Sequence, residues 1–91
     1  MAYVLICRDK LGALDVRLAN RDAHLAYAKA SGLVRFGGPL IGEDGAMAGS
    51  LIVLDAPDRA AAEAFAASDP YARAGLFASV EIMEMKLVFG V

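Results

Sequence analysis

The chain contains one histidine, His24, and no other imidazole in 91 residues. An Asp-Pro-Tyr triplet, Asp69-Pro70-Tyr71, lies well downstream. An imidazole held by a carboxylate is a proton-transfer device: the carboxylate orients the ring and favours its protonated form, and the free ring nitrogen works as a base. Two cations share the helical spacing of the histidine. Residues three and four apart lie on one helix face, so Arg17, Arg21, His24, Ala28 and Ser31 form one stripe. Leu14, Leu18 and Leu25 flank it on one side and Tyr27 on the other, with Asp15, Asp22 and Lys29 roughly opposite. This places Arg17 and Arg21 on the side that faces the protein. Inward cations need a partner: an acidic side chain, a bound anion or a chain end.

On the residues alone each of these has a plainer reading. A lone histidine on an apolar helix face commonly just satisfies its hydrogen bonds in a core. Asp before Pro is a common helix start, with Asp as N-cap and Pro at the first helical position. The two roles of Asp69 are compatible, because one oxygen can cap while the other faces a site. Tyr71 reads as a packing aromatic. One His and one Cys are too few for a zinc site without carboxylates or a second subunit, so no metal is expected. Cys7 reads as a buried small hydrophobe with no charged neighbour to activate it. Gly37-Gly38-Pro39 is no phosphate loop, since no helix and no lysine follow at the required spacing. It reads as a bulge or tight passage, or as a place where main-chain donors meet a ligand. Ser50, beside Gly49, lacks a nucleophile-elbow context.

The elements that must position these residues alternate in type. Ala2 to Cys7 is a continuous apolar run that reads as a strand. Asp15 to Ser31 favours helix, and Gly32 ends it. Leu33 to Leu40 is a second strand, and Pro39 demands a bulge or an edge position there. Gly42 and Asp44-Gly45 signal a hairpin turn. Ala48 to Leu54 is a third strand. Pro57 and Asp58 open a second helix that runs to about Ser68. Pro70 begins a short turn or helix ending near Gly75. Val80 to Phe89 is expected to be the last strand. The order strand, helix, strand, strand, helix, strand is the split βαβ pattern of ferredoxin-like α+β domains, with a four-stranded antiparallel sheet and its helices on one face.

An antiparallel sheet with one wet face alternates apolar and polar residues. These strands do not alternate: Tyr3-Val4-Leu5-Ile6-Cys7 and Leu51-Ile52-Val53-Leu54 are apolar at both parities. Hydrophobic residues make up 58% of the chain, against about 45–50% in ordinary domains. A domain of this size buries only roughly two thirds of its unfolded surface. A second copy packed sheet to sheet is the economical cover, with Met83 and Met85 at the contact. The net charge of −2 and the lack of a basic patch argue against nucleic acid. No apolar run approaches a membrane span of ~18 residues, and the start of the chain lacks the pattern of a secretory signal. With a single cysteine, these features lead us to expect one soluble cytoplasmic domain over residues 1–91.

The chain resembles the YciI-like family. The residues that carry the likeness are Tyr3-Val4-Leu5-Ile6, Arg17-Leu18, Arg21-x-x-His24-Leu25, Gly38-Pro39-Leu40, Gly49-Ser50 and Asp69-Pro70-Tyr71-x-x-x-Gly75. It departs at Asp22, where relatives often carry proline, and at aromatic positions often filled by tryptophan. The resemblance implies a ferredoxin-like fold that dimerises through its sheets into a dimeric α+β barrel. It implies a His-Asp pair at His24 and Asp69, and chemistry such as dehydrochlorination of hydroxylated aromatics or isomerisation of lactones, without a cofactor. On that basis His24 is the general base and Asp69 orients it. Arg21 and Arg17 hold an anionic substrate in a pocket between the first helix and the sheet, partly closed by Gly38, Pro39 and Tyr71. A cofactor-independent lyase or isomerase stands first. A non-catalytic small-molecule-binding or regulatory domain and a cofactor-free oxygenase are the alternatives.

Overall fold

A computed structural model describes residues 1–90. The elements are β1 (Ala2–Asp9), α1 (Leu14–Ser31), β2 (Val34–Ile41), β3 (Met47–Asp55), α2 (Arg59–Ser68), α3 (Pro70–Arg73) and β4 (Phe77–Met85). The strands form one antiparallel sheet in the order β2-β3-β1-β4. This is the expected ferredoxin-like α+β architecture, with the Pro70 turn present as a short third helix.

Local chemistry accounts for the element ends. Gly32 terminates α1 in the left-handed conformation, at φ 67°. The Asp58 side chain caps α2 by accepting from the Ala61 amide at 2.8 Å. The β2–β3 hairpin closes through Gly42 to Ala46, with Gly45 at φ 84°. β2 lies at the sheet edge, the position in which a strand tolerates proline, and its register with β3 shifts at both ends. The last strand departs from expectation. It spans Phe77–Met85, so Leu87 and Phe89 fall beyond it. Strand-forming residue types continue past Met85, but the paired stretch of β1 ends at Ala2, opposite Met85, and no partner remains to extend the ladder.

The register sorts the side chains by face. Tyr3, Leu5 and Cys7 of β1 and Ile52 and Leu54 of β3 pack with Ala62 and Phe65 of α2 into the core. Burying such side chains is worth about 1.5–3 kcal/mol for each large one. The opposite face carries a row through all four strands: Phe36, Val53, Val4 and Met83. Val53 is enclosed, whereas Phe36 at 36% and Met83 at 58% exposure lie open at the two edges. No helix among the described residues is long and apolar enough to cross a membrane.

Candidate active site

α1 spans the β2–β3 half of the sheet and leaves a hollow beneath it. The roof is Arg21, His24, Leu25 and Ala28, the floor includes Gly37, Pro39, Ser50 and Ile52, and Tyr71 stands at one side. The cavity volume is about 200 Å³. The floor follows from the register, because Gly37 pairs with Ile52 and Pro39 with Ser50. Gly37 is required by a close approach: a Cβ there would lie 2.5 Å from the Leu51 carbonyl oxygen. Gly38 also lines the hollow, as does Met47, and a Cβ on Gly38 would meet nothing within 4 Å.

His24 and Asp69, 45 positions apart in the chain, meet at this hollow. His24 Nδ1 is 2.9 Å from Asp69 Oδ1 and 3.0 Å from Oδ2. The same Oδ1 accepts the Tyr71 amide at 2.9 Å and so caps α3. Capping and pairing therefore coexist in one carboxylate. Asp69 is 2% exposed and His24 9%. With the carboxylate accepting the Nδ1 proton, Nε2 is left as the lone-pair nitrogen available to an occupant of the cavity. The Tyr71 ring stacks on the imidazole with centroids 4.1 Å apart and planes inclined by 16°. Phe77 meets the edge of Tyr71 at 6.0 Å. Burial raises the Tyr71 phenol above its ordinary range, against the opposing pull of Arg17. Tyr71 is thus a neutral ring at the site.

The two arginines of the stripe part company. Arg17 turns inward and finds its partner within the chain. Its Nε donates to Asp9 Oδ2 at 2.7 Å and its Nη2 to Asp9 Oδ1 at 2.9 Å. Nη2 also donates to Ser50 Oγ at 2.9 Å. The guanidinium carbon lies 4.7 Å from the centre of the Tyr71 ring. Burial opposes the charge on Arg17, and Asp9 outweighs it, so the guanidinium holds its proton more tightly than usual. Arg17 lines the same cavity as Arg21, but its two-point contact is committed to Asp9. Arg21 stays exposed at the cavity wall, with no ion pair to a described residue within 4.0 Å.

Sequence reasoning missed Asp9 and gave Ser50 no role. The usable signal for Asp9 was parity: it continues the inward set Tyr3, Leu5, Cys7, and an inward carboxylate needs an inward cation. The flanking leucines of α1 are also more open than expected, with Leu18 53% and Leu25 37% exposed. Arg17 ties this helix to Asp9 and Ser50 of the sheet and His24 ties it to Asp69, while Tyr27 and Ala28 pack against the core.

Comparison with known proteins points in one direction. A family model described as the YCII-related domain matches residues 1–86. The protein YciI of Escherichia coli O6:H1 is 33% identical over 98 aligned positions, covering 98% of this chain and all of the relative. An uncharacterised Haemophilus influenzae protein is 34% identical over the same extent. Among solved structures, the 5-chloro-2-hydroxyhydroquinone dehydrochlorinase TftG of Burkholderia phenoliruptrix AC1100, in complex with 2,5-dihydroxybenzoquinone, superposes with a TM-score of 0.87. It is 33% identical, and the match covers 94% of both chains. An antibiotic biosynthesis monooxygenase shares the fold at a TM-score of 0.61 and 17% identity, covering 97% of this chain and 99% of that one.

Proposed function

From the premise that this chain belongs to the YCII-related domain family, we propose that it is a cofactor-independent lyase or isomerase that moves protons on a small activated ring. The observation that carries the reading is the His24–Asp69 pair, buried on the Asp69 side and opening on the His24 side into a cavity. A volume of about 200 Å³ is below the roughly 300–1,000 Å³ of drug-sized sites, which favours a single substituted ring. Leu25, Ala28, Val34 and Ile52 offer that ring an apolar surface. Arg21 offers the one exposed cation on the cavity wall, suited to a phenolate, carboxylate or developing enolate.

In this mechanism His24 Nε2 removes a proton from a ring hydroxyl or an acidic C–H. The resulting electron pair expels a leaving group from the ring or shifts a double bond, and the imidazolium, held by Asp69, returns its proton to product or to water. On a chlorinated polyhydroxyarene, the carbon that bears chlorine first takes a proton as the adjacent enol becomes a ketone. Loss of a hydroxyl proton then expels chloride. The net change is loss of HCl, with no external oxidant.

The likeness to the dehydrochlorinase supplies the first substrate to try. Chloride release from 5-chloro-2-hydroxyhydroquinone is expected with the wild-type protein. His24→Gln is expected to lower the rate by at least ~100-fold, the usual scale for a general base. Full activity in that variant would remove His24 from the mechanism. Absence of turnover across chlorinated hydroquinones and small lactones would favour a binding domain instead.

The working unit we propose is a homodimer joined through the sheet faces. The row Phe36, Val53, Val4 and Met83 supports it, because no element among the described residues covers that face at its edges. A cytoplasmic setting accords with a lone unpaired thiol.

A further inference from the structure

Asp9 and Arg17 lie one layer behind the reacting atoms, and their geometry is that of a built device. The ion pair is almost sealed from solvent, with side-chain exposures of 3% for Arg17 and 6% for Asp9. The guanidinium is held at three polar contacts, two on Asp9 and one on Ser50. Asp9 comes from the end of β1, Arg17 from the first turns of α1 and Ser50 from β3, so the contacts lock α1 to the sheet. Arg17 lies against the Tyr71 ring, and Tyr71 in turn stacks on His24. The Tyr71 amide is also bound to Asp69. A displacement of Arg17 is therefore transmitted to both members of the His24–Asp69 pair through one residue.

A substrate anchor needs unspent hydrogen-bond donors and net positive charge. Arg17 has no net charge to spare, since it is matched by a carboxylate at two-point contact, and three of its five N–H donors go to Asp9 and Ser50. Its planar guanidinium suits the other task, a flat support for an aromatic ring. We propose that Asp9 and Arg17 are positioning residues that hold the His24–Asp69 pair in register through the Tyr71 ring, and that Arg21 alone supplies the charge that selects an anionic ring. This inference deepens the proton-transfer reading of the same site and rests on it for kinetics, but the geometry it concerns is measurable without turnover.

The single histidine makes the experiment direct, because the imidazole signals of the untagged protein have only one source. Nitrogen-15 histidine NMR, titrated over pH, reports ring protonation and tautomer. Binding of 2,5-dihydroxybenzoquinone, an acidic dihydroxyquinone, reports anion recognition. Three positioning variants, Asp9→Asn, Arg17→Lys and Ser50→Ala, are compared with Arg21→Gln. The mildest, Ser50→Ala, leaves no buried charge unpaired and keeps the comparison open if the others fail to fold.

The positioning variants are expected to move the His24 titration midpoint or broaden its tautomer signals, in graded order from Ser50→Ala to Arg17→Lys, while quinone affinity changes less than about threefold. Arg21→Gln is expected to weaken quinone binding about tenfold or more and to leave the free-state His24 signals in place. Where turnover is measurable, the first group lowers kcat and the second raises KM. Wild-type His24 signals in the folded positioning variants would overturn the proposal, as would a loss of quinone affinity in them equal to that in Arg21→Gln. Lack of turnover in the wild type counts against the proton-transfer reading and leaves the NMR and binding comparison decisive for the positioning one.

Discussion

A single carboxylate oxygen, Asp69 Oδ1, accepts both the backbone amide that begins α3 and the imidazole of His24. This shared use makes the site sensitive to small changes at that residue. Asp69→Asn keeps the size but leaves an amide that can present a donor to Nδ1 and favour the wrong ring tautomer. It is expected to lower turnover about as far as His24→Gln while changing melting temperature less than Asp69→Ala, which also removes the cap at a cost of about 1 kcal/mol. Paired kinetics and thermal melts of the two variants check this. Cys7 gives a second expectation at this scale. Burial, assisted by the nearby Asp69 charge, pushes its thiol from 9.0 up to about 12. The folded protein therefore keeps a proton that the unfolded chain releases above about pH 9. The stability contributed by the neutral thiol is fully present below that pH and is lost as pH rises toward 12. Native protein at pH 8 is expected to resist a thiol reagent that labels the denatured chain at once. Cys7→Ala is expected to flatten the fall in melting temperature above pH 9. Rapid labelling of the native state would show that the thiol is accessible.

At the scale of elements, close backbone approaches matter as much as the core. Gly49 of β3 sits against the Cys7 carbonyl of β1, and a Cβ there would collide with main chain that cannot turn aside. Gly49→Ala is expected to destabilise the protein by about 1–3 kcal/mol through strain in the central strand pair. Gly38→Ala, with open space around its Cβ, is expected to leave stability within about 0.5 kcal/mol. Denaturant melts of the two variants side by side test whether contact or residue type sets the cost. The helices were legible because their ends carry explicit signals, Gly32 behind α1 and Asp58 ahead of α2. The last strand was less legible, because Leu87, Val88 and Phe89 have strand-forming side chains and only the length of the β1 partner limits the ladder.

Over the whole molecule, the open sheet face separates a lone chain from an assembly. The row Phe36, Val53, Val4 and Met83 crosses the sheet from edge to edge. If two such faces meet, light scattering at micromolar concentration is expected to give twice the chain mass. A glutamate on this face, as in Met83→Glu, is expected to shift the mass toward one chain by burying an unpaired charge. A wild-type mass of one chain would remove the dimer.

Periodicity and residue type were enough to determine the strand and helix order, the shared helix face of Arg17, Arg21 and His24, and the capping role of Asp69. These depend on interactions a few residues apart, which local sequence records directly. Their family resemblance added the pairing of His24 with Asp69. Only the tertiary structure decided which arginine is free. Asp9 and Ser50 reach Arg17 from two different strands, and nothing along the chain measures the distance across a sheet. Charge pairing is a property of three-dimensional neighbours, so of the two cations lining the cavity one is paired into the frame and the other has no ion pair among the described residues.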